Sequence, residues 1–254
     1  MQRLQENLRS YEFQKIKKFW LEVSHNNISW DKKPTQSFLH QGLNFQWFAD
    51  GKLNASVNAL DRHLESIPEK IAFKWQSEKG FKRQLTYKEL HAQVCQAACG
   101  LKSLGVKVGD VVGIYMPLIP EAVISMLACA RIGAVHNVIF AGFGYSALRQ
   151  RLLASKSKIL ITADSFCYKG KNVDLKKIVD KACDNLEDLS HIIFLKQSSS
   201  HLHLKSYRDK LWSDVILTQK KECKPELVSA NHPLFLLYTS GSTGAPKGIV
   251  HSTG

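Results

Sequence analysis

Between residues 111 and 195, short apolar runs alternate with amphipathic stretches, and this pattern constrains the fold more than any other feature. The apolar runs fall at 111–115, 135–140, 159–162 and 192–195. They predict strands that are apolar on both faces, as strands buried in the middle of a layered domain are. The stretches between them carry helix signals. Pro120 suits a first helical turn, with an end near Gly133, and helices are expected at about 146–154 and 173–185. Strands and helices in strict alternation predict an α/β fold with a mainly parallel sheet flanked by helices, doubly wound. Such a sheet binds ligands in the loops beyond the carboxyl ends of its strands.

Upstream of this core, Phe13, Ile16, Phe19, Trp20 and Val23 have helical spacing over 12–23. An irregular wrap is expected to about residue 58, held by Phe45, Trp47, Phe48 and Leu53, then a short helix ending before Pro68. The runs 71–75 and 82–85 predict a hairpin around Lys79-Gly80. Thr86 and Glu89 have capping-box spacing for a helix that runs to Leu104 and stops at Gly105. Residues 196–232 are polar and mixed, with one helical piece expected at 207–215.

The formal net charge of the 254-residue chain is +13. That raises a nucleic-acid partner as a reading. The excess is spread along the whole chain, however, and no dense Lys/Arg run is interleaved with aromatics, so a solvated basic surface is expected and no nucleic acid. The six cysteines contain no CxxC pair, and the start has no long apolar run after its charges. A cytoplasmic protein with reduced thiols and no membrane contact is expected. Asp61, Arg62, His63 and His136 are catalytic by residue type but are read here as structural, and His201-x-His203 as exposed loop.

The sharpest chemical signal is the stretch 234–248, LFLLYTSGSTGAPKG, followed by Ile249-Val250-His251. An apolar strand enters a loop rich in hydroxyls and glycine, and a second apolar strand leaves it. Gly241 and Gly244 allow a tight turn that points amides inward, a nest for an anion. Thr239, Ser240, Ser242 and Thr243 add hydroxyl donors, and Lys247 adds a point charge suited to phosphate. The loop fails the Walker A pattern, because Gly244 stands three residues before Lys247 and Gly248 follows it.

The stretch YTSGSTGAPKG resembles the signature loop of the adenylate-forming superfamily of acyl-CoA synthetases, luciferases and peptide-synthetase adenylation domains. Residues 47–63, 114–143 and 161–182 are similar to its acetyl-CoA synthetase branch, and the likeness covers nearly the whole chain from about residue 11. The resemblance implies the N-terminal part of the large domain of an adenylate-forming enzyme. Residues 1–65 would be an N-terminal segment of the acetyl-CoA synthetase type, and 66–254 an AMP-binding domain cut off after the phosphate loop. It implies an acetate–CoA ligase in which ATP and acetate give acetyl-AMP and pyrophosphate, and transfer to CoA then gives acetyl-CoA and AMP. Propionate or another short-chain acid stays open, as does a non-catalytic remnant.

The resemblance further assigns the ATP phosphates, with Mg²⁺, to Thr239, Ser240, Gly241, Ser242, Thr243, Gly244 and Lys247, with Thr243 and Lys247 in catalytic roles. CoA falls to Phe140-Ala141-Gly142 and Tyr168-Lys169-Gly170-Lys171, the positions that match the family's Phe-Gly-Gly and Arg-Gly-Gly-Arg-like stretches. Ala141 departs from that pattern, and Tyr168 and Lys171 stand where arginines are common. The ribose contacts, the acyl pocket and the mobile C-terminal domain of the family lie past residue 254, so the stretch alone is expected to be inactive and to need a missing C-terminal part as partner.

Overall fold

The structure, a computed structural model, describes residues 2–41, 44–199, 201–205, 207–239 and 246–254. Helix α1 (Gln2–Asn27) is longer than the apolar spacing predicts. Phe13, Ile16, Phe19 and Trp20 on it are exposed, touching the body only at contacts such as Phe13 on Phe38 and Trp20 on Trp47. The wrap that follows contains a small hairpin, β1 (Phe38–Gln41) with β2 (Asn44–Trp47), and a short strand β3 (Lys52–Leu53). Phe48 and Leu53 are buried there, whereas Phe45 and Trp47 are exposed.

The single helix expected at 59–67 is instead two pieces. Helix α2 (Ala55–Ala59) is capped by Asn54, whose side chain accepts from the Ser56 and Val57 amides, and a separate 3-10 turn spans Asp61–His63. The Asn54 amide also donates to the carbonyls of Ala130, Arg131 and Glu226, which anchors the break to the main body. The expected hairpin is present as β4 (Ile71–Gln76) and β5 (Lys82–Thr86). Helix α3 (Tyr87–Ser103) begins with the expected capping box. The Thr86 amide donates to Glu89 at 2.9 Å, and the Glu89 amide to the Thr86 hydroxyl at 3.2 Å. The helix stops where Gly105 takes φ +78°, a conformation that would strain a side-chain-bearing residue.

The alternating core then follows: β6 (Val111–Tyr115), α4 (Pro120–Arg131), β7 (Val135–Val138), α5 (Tyr145–Ser155) and β8 (Ile159–Ala163). A tight hairpin comes next, β9 (Ser165–Tyr168) and β10 (Lys171–Asp174), then α6 (Leu175–Ala182) and β11 (His191–Leu195). The expected helix at 173–185 thus loses its first residues to β10, and Asp174 caps it by accepting from the Lys177 amide. The helix expected at 207–215 is replaced by a strand, β12 (Asp209–Leu211), and a π-type turn at Ser213–Leu217. Pairing of Asp209–Leu211 along β11 overrides the local helical preference there. The chain closes with β13 (Val228–Ser229) against β3, then β14 (Pro233–Thr239) and β15 (Lys247–Ser252).

The central sheet has the order β12-β11-β8-β6-β7-β14-β15. Neighbours from β12 to β14 run parallel, and only β15 is antiparallel. Every residue of β8 is buried, because helices cover both faces of the sheet centre. One apolar cluster packs α3 and α4 on one face, around Leu101, Ile114 and Ile161. The other packs α5 and α6 on the opposite face, around Leu148, Leu160 and Phe194. Toward β14 and β15 the cover ends: Leu237, Ile249 and Val250 are exposed large apolar side chains.

Candidate active site

Because six successive strands are parallel, their carboxyl ends share one edge of the sheet. Three sequence-predicted stretches leave from that edge. The turn 140–142 follows β7, the β9–β10 hairpin follows β8, and the phosphate-loop stretch follows β14. Strands β14, β7, β6 and β8 are consecutive neighbours. At roughly 4.8 Å per strand, their outermost loops start about 14 Å apart. That span suits an extended ligand lying along the edge.

Thr239 ends β14 and stands directly opposite Lys247, the first residue of β15. Both are exposed at the mouth of the connecting loop. Ser240, Gly241, Ser242, Thr243 and Gly244 lie outside the described residues. The hairpin register therefore puts one hydroxyl and one ammonium side by side where the loop leaves the sheet.

The turn after β7 is held from beneath. The buried Tyr115 hydroxyl, at the end of β6, lies 3.1 Å from the Ala141 carbonyl and 2.5 Å from that of Phe143, and donates to this pair. Burial pushes its pKa up to about 12, so it stays a donor at any physiological pH. Phe140 is exposed and its ring lies against Gly142, where an added Cβ would meet it at 2.3 Å. Arg151 of α5, itself buried, lies with its guanidinium 4.4 Å from the Phe143 ring centroid and 5.8 Å from that of Tyr238. It thereby joins the turn after β7 to the strand that enters the phosphate loop.

Tyr168 and Lys171 are paired residues flanking the tip of the β9–β10 hairpin. Lys169 and Gly170 form that tip with φ +50° and +73°, the two positive values that a type I′ turn needs. The Gly170 amide donates to Glu78 in the β4–β5 turn at 3.2 Å, so one hairpin tip steadies the other. Tyr168 is half exposed, and the Lys169 ammonium lies 5.4 Å from its ring centroid. Both cationic and stacking groups thus project at the end of β8.

The residues read as structural have structural partners. Arg131 forms two hydrogen bonds to Asp61, at 2.8 and 3.0 Å, and His91 Nε2 lies 3.4 Å from the same carboxylate. Burial of Asp61 alone would raise its pKa, but the hydrogen bonds from His91 and Arg131 win and hold it well below the usual carboxylate range. The Asp61 hydrogen bond, and then that to Cys95, raise the His91 pKa to about 9. Arg62 donates to the Asn27 carbonyl, and His63 packs its ring on Tyr87. His136 is buried, stacks on Phe235 at 5.5 Å and has its pKa lowered to about 4 by burial. Its Nδ1 has no hydrogen-bond partner among the described residues.

His201 and His203 lie exposed in a loop. Among the described residues no group of three or more His, Cys, Asp or Glu is placed to hold a metal ion. No described helix is long and apolar enough to cross a membrane. Tyr115, Arg151 and Glu78 carry the loops of the site but have no short-range signal in the sequence, since each acts across the fold.

Comparison with known proteins gives the family and the fold. A family model described as AMP-binding enzyme matches residues 60–254, and one described as acetyl-coenzyme A synthetase N-terminus matches 5–59. An acetyl-coenzyme A synthetase of Shewanella denitrificans is 46% identical over 246 residues, covering 93% of this chain and 38% of that protein. A 3-hydroxypropionyl-coenzyme A synthetase of Sulfurisphaera tokodaii is 46% identical over 259 residues, covering 98% of this chain and 39% of that protein. Among solved structures, an acetoacetyl-CoA synthetase from Streptomyces lividans superposes with TM-score 0.87 at 29% identity, over 95% of this chain and 37% of that one. The chain therefore spans less than two-fifths of the length of the relatives it matches.

Proposed function

The chain belongs to the AMP-binding enzyme family, and from that premise we propose that it forms the N-terminal part of an AMP-forming acyl-CoA ligase. A carboxylate attacks the α-phosphorus of ATP, pyrophosphate leaves, and the acyl-adenylate is then taken by the CoA thiol to give acyl-CoA and AMP. The observation that carries the reading is the common origin of the phosphate-loop stretch and the two CoA stretches at one sheet edge.

Each stretch has its own task in this reading. The Lys247 ammonium and the Thr239 hydroxyl stand opposite each other. Together with the loop hydroxyls, Thr243 above all, they stabilise the charge that builds up on departing pyrophosphate. The amides of Ser240, Gly241, Ser242 and Gly244 serve the same oxyanions. On the other side, Phe140 and Tyr168 offer exposed ring faces to the CoA adenine. Lys169 and Lys171 meet its phosphates as point charges, without the bidentate geometry of arginine. The rigid Phe140–Ala141–Gly142 turn keeps that surface in place. Mg²⁺ would enter with the nucleotide and offset charge on its phosphates.

Acetate is the proposed acyl group, supported by the Shewanella relative's name and by the N-terminal family model. The equally similar Sulfurisphaera relative favours a three-carbon acid as second reading. Residues 1–65 are proposed as the N-terminal segment and 66–254 as the AMP-binding domain, working with a further C-terminal polypeptide. The test replaces the matching part of the Shewanella enzyme with residues 1–254 and follows acetate-dependent ATP–pyrophosphate exchange. Exchange by the chimera, with none from residues 1–254 alone, is the expected result. A chimera that melts cooperatively but catalyses no exchange would sink the reading.

A further inference from the structure

Three residues on one face of α3 hold the segment 217–226 alongside the helix. Gln96 Nε2 donates to the carbonyls of Leu217 at 3.3 Å and Gln219 at 3.1 Å. The Cys99 thiol donates to the Glu222 carbonyl at 3.4 Å, and the Lys102 ammonium pairs with Glu226 at 3.5 Å. Positions three apart stack along a helix face, so the segment follows the helix as a strap. Gly100 lets it come close, since a Cβ there would lie 2.5 Å from Ile216 and 2.8 Å from the Val215 carbonyl. Arg131 Nε fixes the strap from the other side by donating to the Cys223 carbonyl at 2.6 Å.

Cys99 therefore has its sulfur against the peptide that joins Glu222 to Cys223, which brings the two cysteines together across the helix and the strap. Both are partly accessible, whereas Cys95, Cys129 and Cys183 are buried. Neither thiol belongs to the sheet-edge site. We propose that Cys99 and Cys223 are a modification site at which a hydroperoxide forms a disulfide that locks the 217–226 strap to α3.

The electrons balance in two steps. The Cys99 thiolate attacks the peroxide O–O bond, taking one oxygen as sulfenic acid and releasing hydroxide, which the thiol proton converts to water. The Cys223 thiolate then attacks the sulfenyl sulfur, the S–S bond forms, and hydroxide leaves and takes the second thiol proton. Two thiols and one hydrogen peroxide give one disulfide and two waters. Burial, and then the Cys99 thiol, raise the Cys223 pKa to about 11, so Cys223 is a poor first nucleophile. Lys102 and Arg131 favour the Cys223 thiolate for the second. A dithiol reverses the bond by exchange.

The experiment treats the reduced chain with hydrogen peroxide, blocks remaining thiols with an alkylating reagent and maps the peptides without reduction. The expected result is one cross-linked pair, Cys99 with Cys223, with the other four cysteines alkylated. The melting midpoint rises on oxidation, because the bond closes a long loop, and dithiothreitol reverses the rise. Cys99→Ser and Cys223→Ser each remove that rise. Oxidation that leaves Cys99 as sulfinic acid without a cross-link, or that joins Cys167 or a second chain instead, overturns the proposal. The wild-type map decides the matter even where a serine variant folds poorly.

Discussion

Asp61→Asn tests how the 3-10 turn Asp61–His63 is tied to α3 and α4. Asp61 takes both forks of Arg131, whose side chain is only 4% exposed, and it accepts from His91 on α3. Removing one partner of a buried ion pair costs about 3–5 kcal/mol. Asp61 is itself 25% exposed and asparagine keeps one acceptor, so the lower end, about 3 kcal/mol, is expected. For a chain of this size that lowers the melting midpoint by roughly 6–12 °C.

The same variant has a pH signature. The His91 pKa is raised from 6.5 to about 9, first by the Asp61 hydrogen bond. The folded chain therefore holds a proton that the unfolded chain releases, and stability falls as pH rises. The gain is fully present below pH 6.5 and is lost as pH passes through about 9. At full strength the shift is worth about 3 kcal/mol, and solvent screening of a ring and carboxylate that are 18% and 25% exposed leaves about 1–2 kcal/mol. Urea melts of wild type and Asp61→Asn at pH 6.5 and 9.5 read this directly. Wild type loses that amount across the interval and the variant much less. Equal pH dependence in the two proteins would refute the coupling between His91 and Asp61.

Two further outcomes follow from the core and from the CoA side. Leu160→Ala, in a strand buried on both faces, lowers stability by about 2–5 kcal/mol in urea melts. Lys171→Ala in the chimera raises the KM for CoA and leaves pyrophosphate exchange nearly intact, because adenylation precedes CoA attack; equal damage to both half-reactions would make the residue structural.

Much of the sheet was legible because its strands are apolar on both faces and its helices carry strong end signals. The Thr86–Glu89 box, Pro120 and Gly105 act within one turn, so the local sequence is enough to place them. The β9–β10 hairpin was hidden for the opposite reason. Val173 continues the apolar spacing of α6 backwards, and only the pairing with Phe166 shows it to be strand. Asp209–Leu211 became strand through β11, a partner some seventeen residues earlier in the chain. The two strands that flank the proposed phosphate loop were legible from their apolar runs, while residues 240–245 between them lie outside the described residues. The Asp61–His91–Arg131 network was not, because its members are brought together from separate elements by the fold.

The central claim is that the 239–247 loop stabilises departing pyrophosphate. Acetate-dependent ATP–pyrophosphate exchange by the chimera, with Lys247 and with Lys247→Ala, tests it most directly. Lys247 is exposed at the loop mouth, so the substitution leaves the melting midpoint unchanged. Loss of one such transition-state partner slows the reaction about 10²–10³-fold, and that is the predicted drop in exchange rate with the KM for acetate little altered. An unchanged exchange rate in Lys247→Ala would contradict the account.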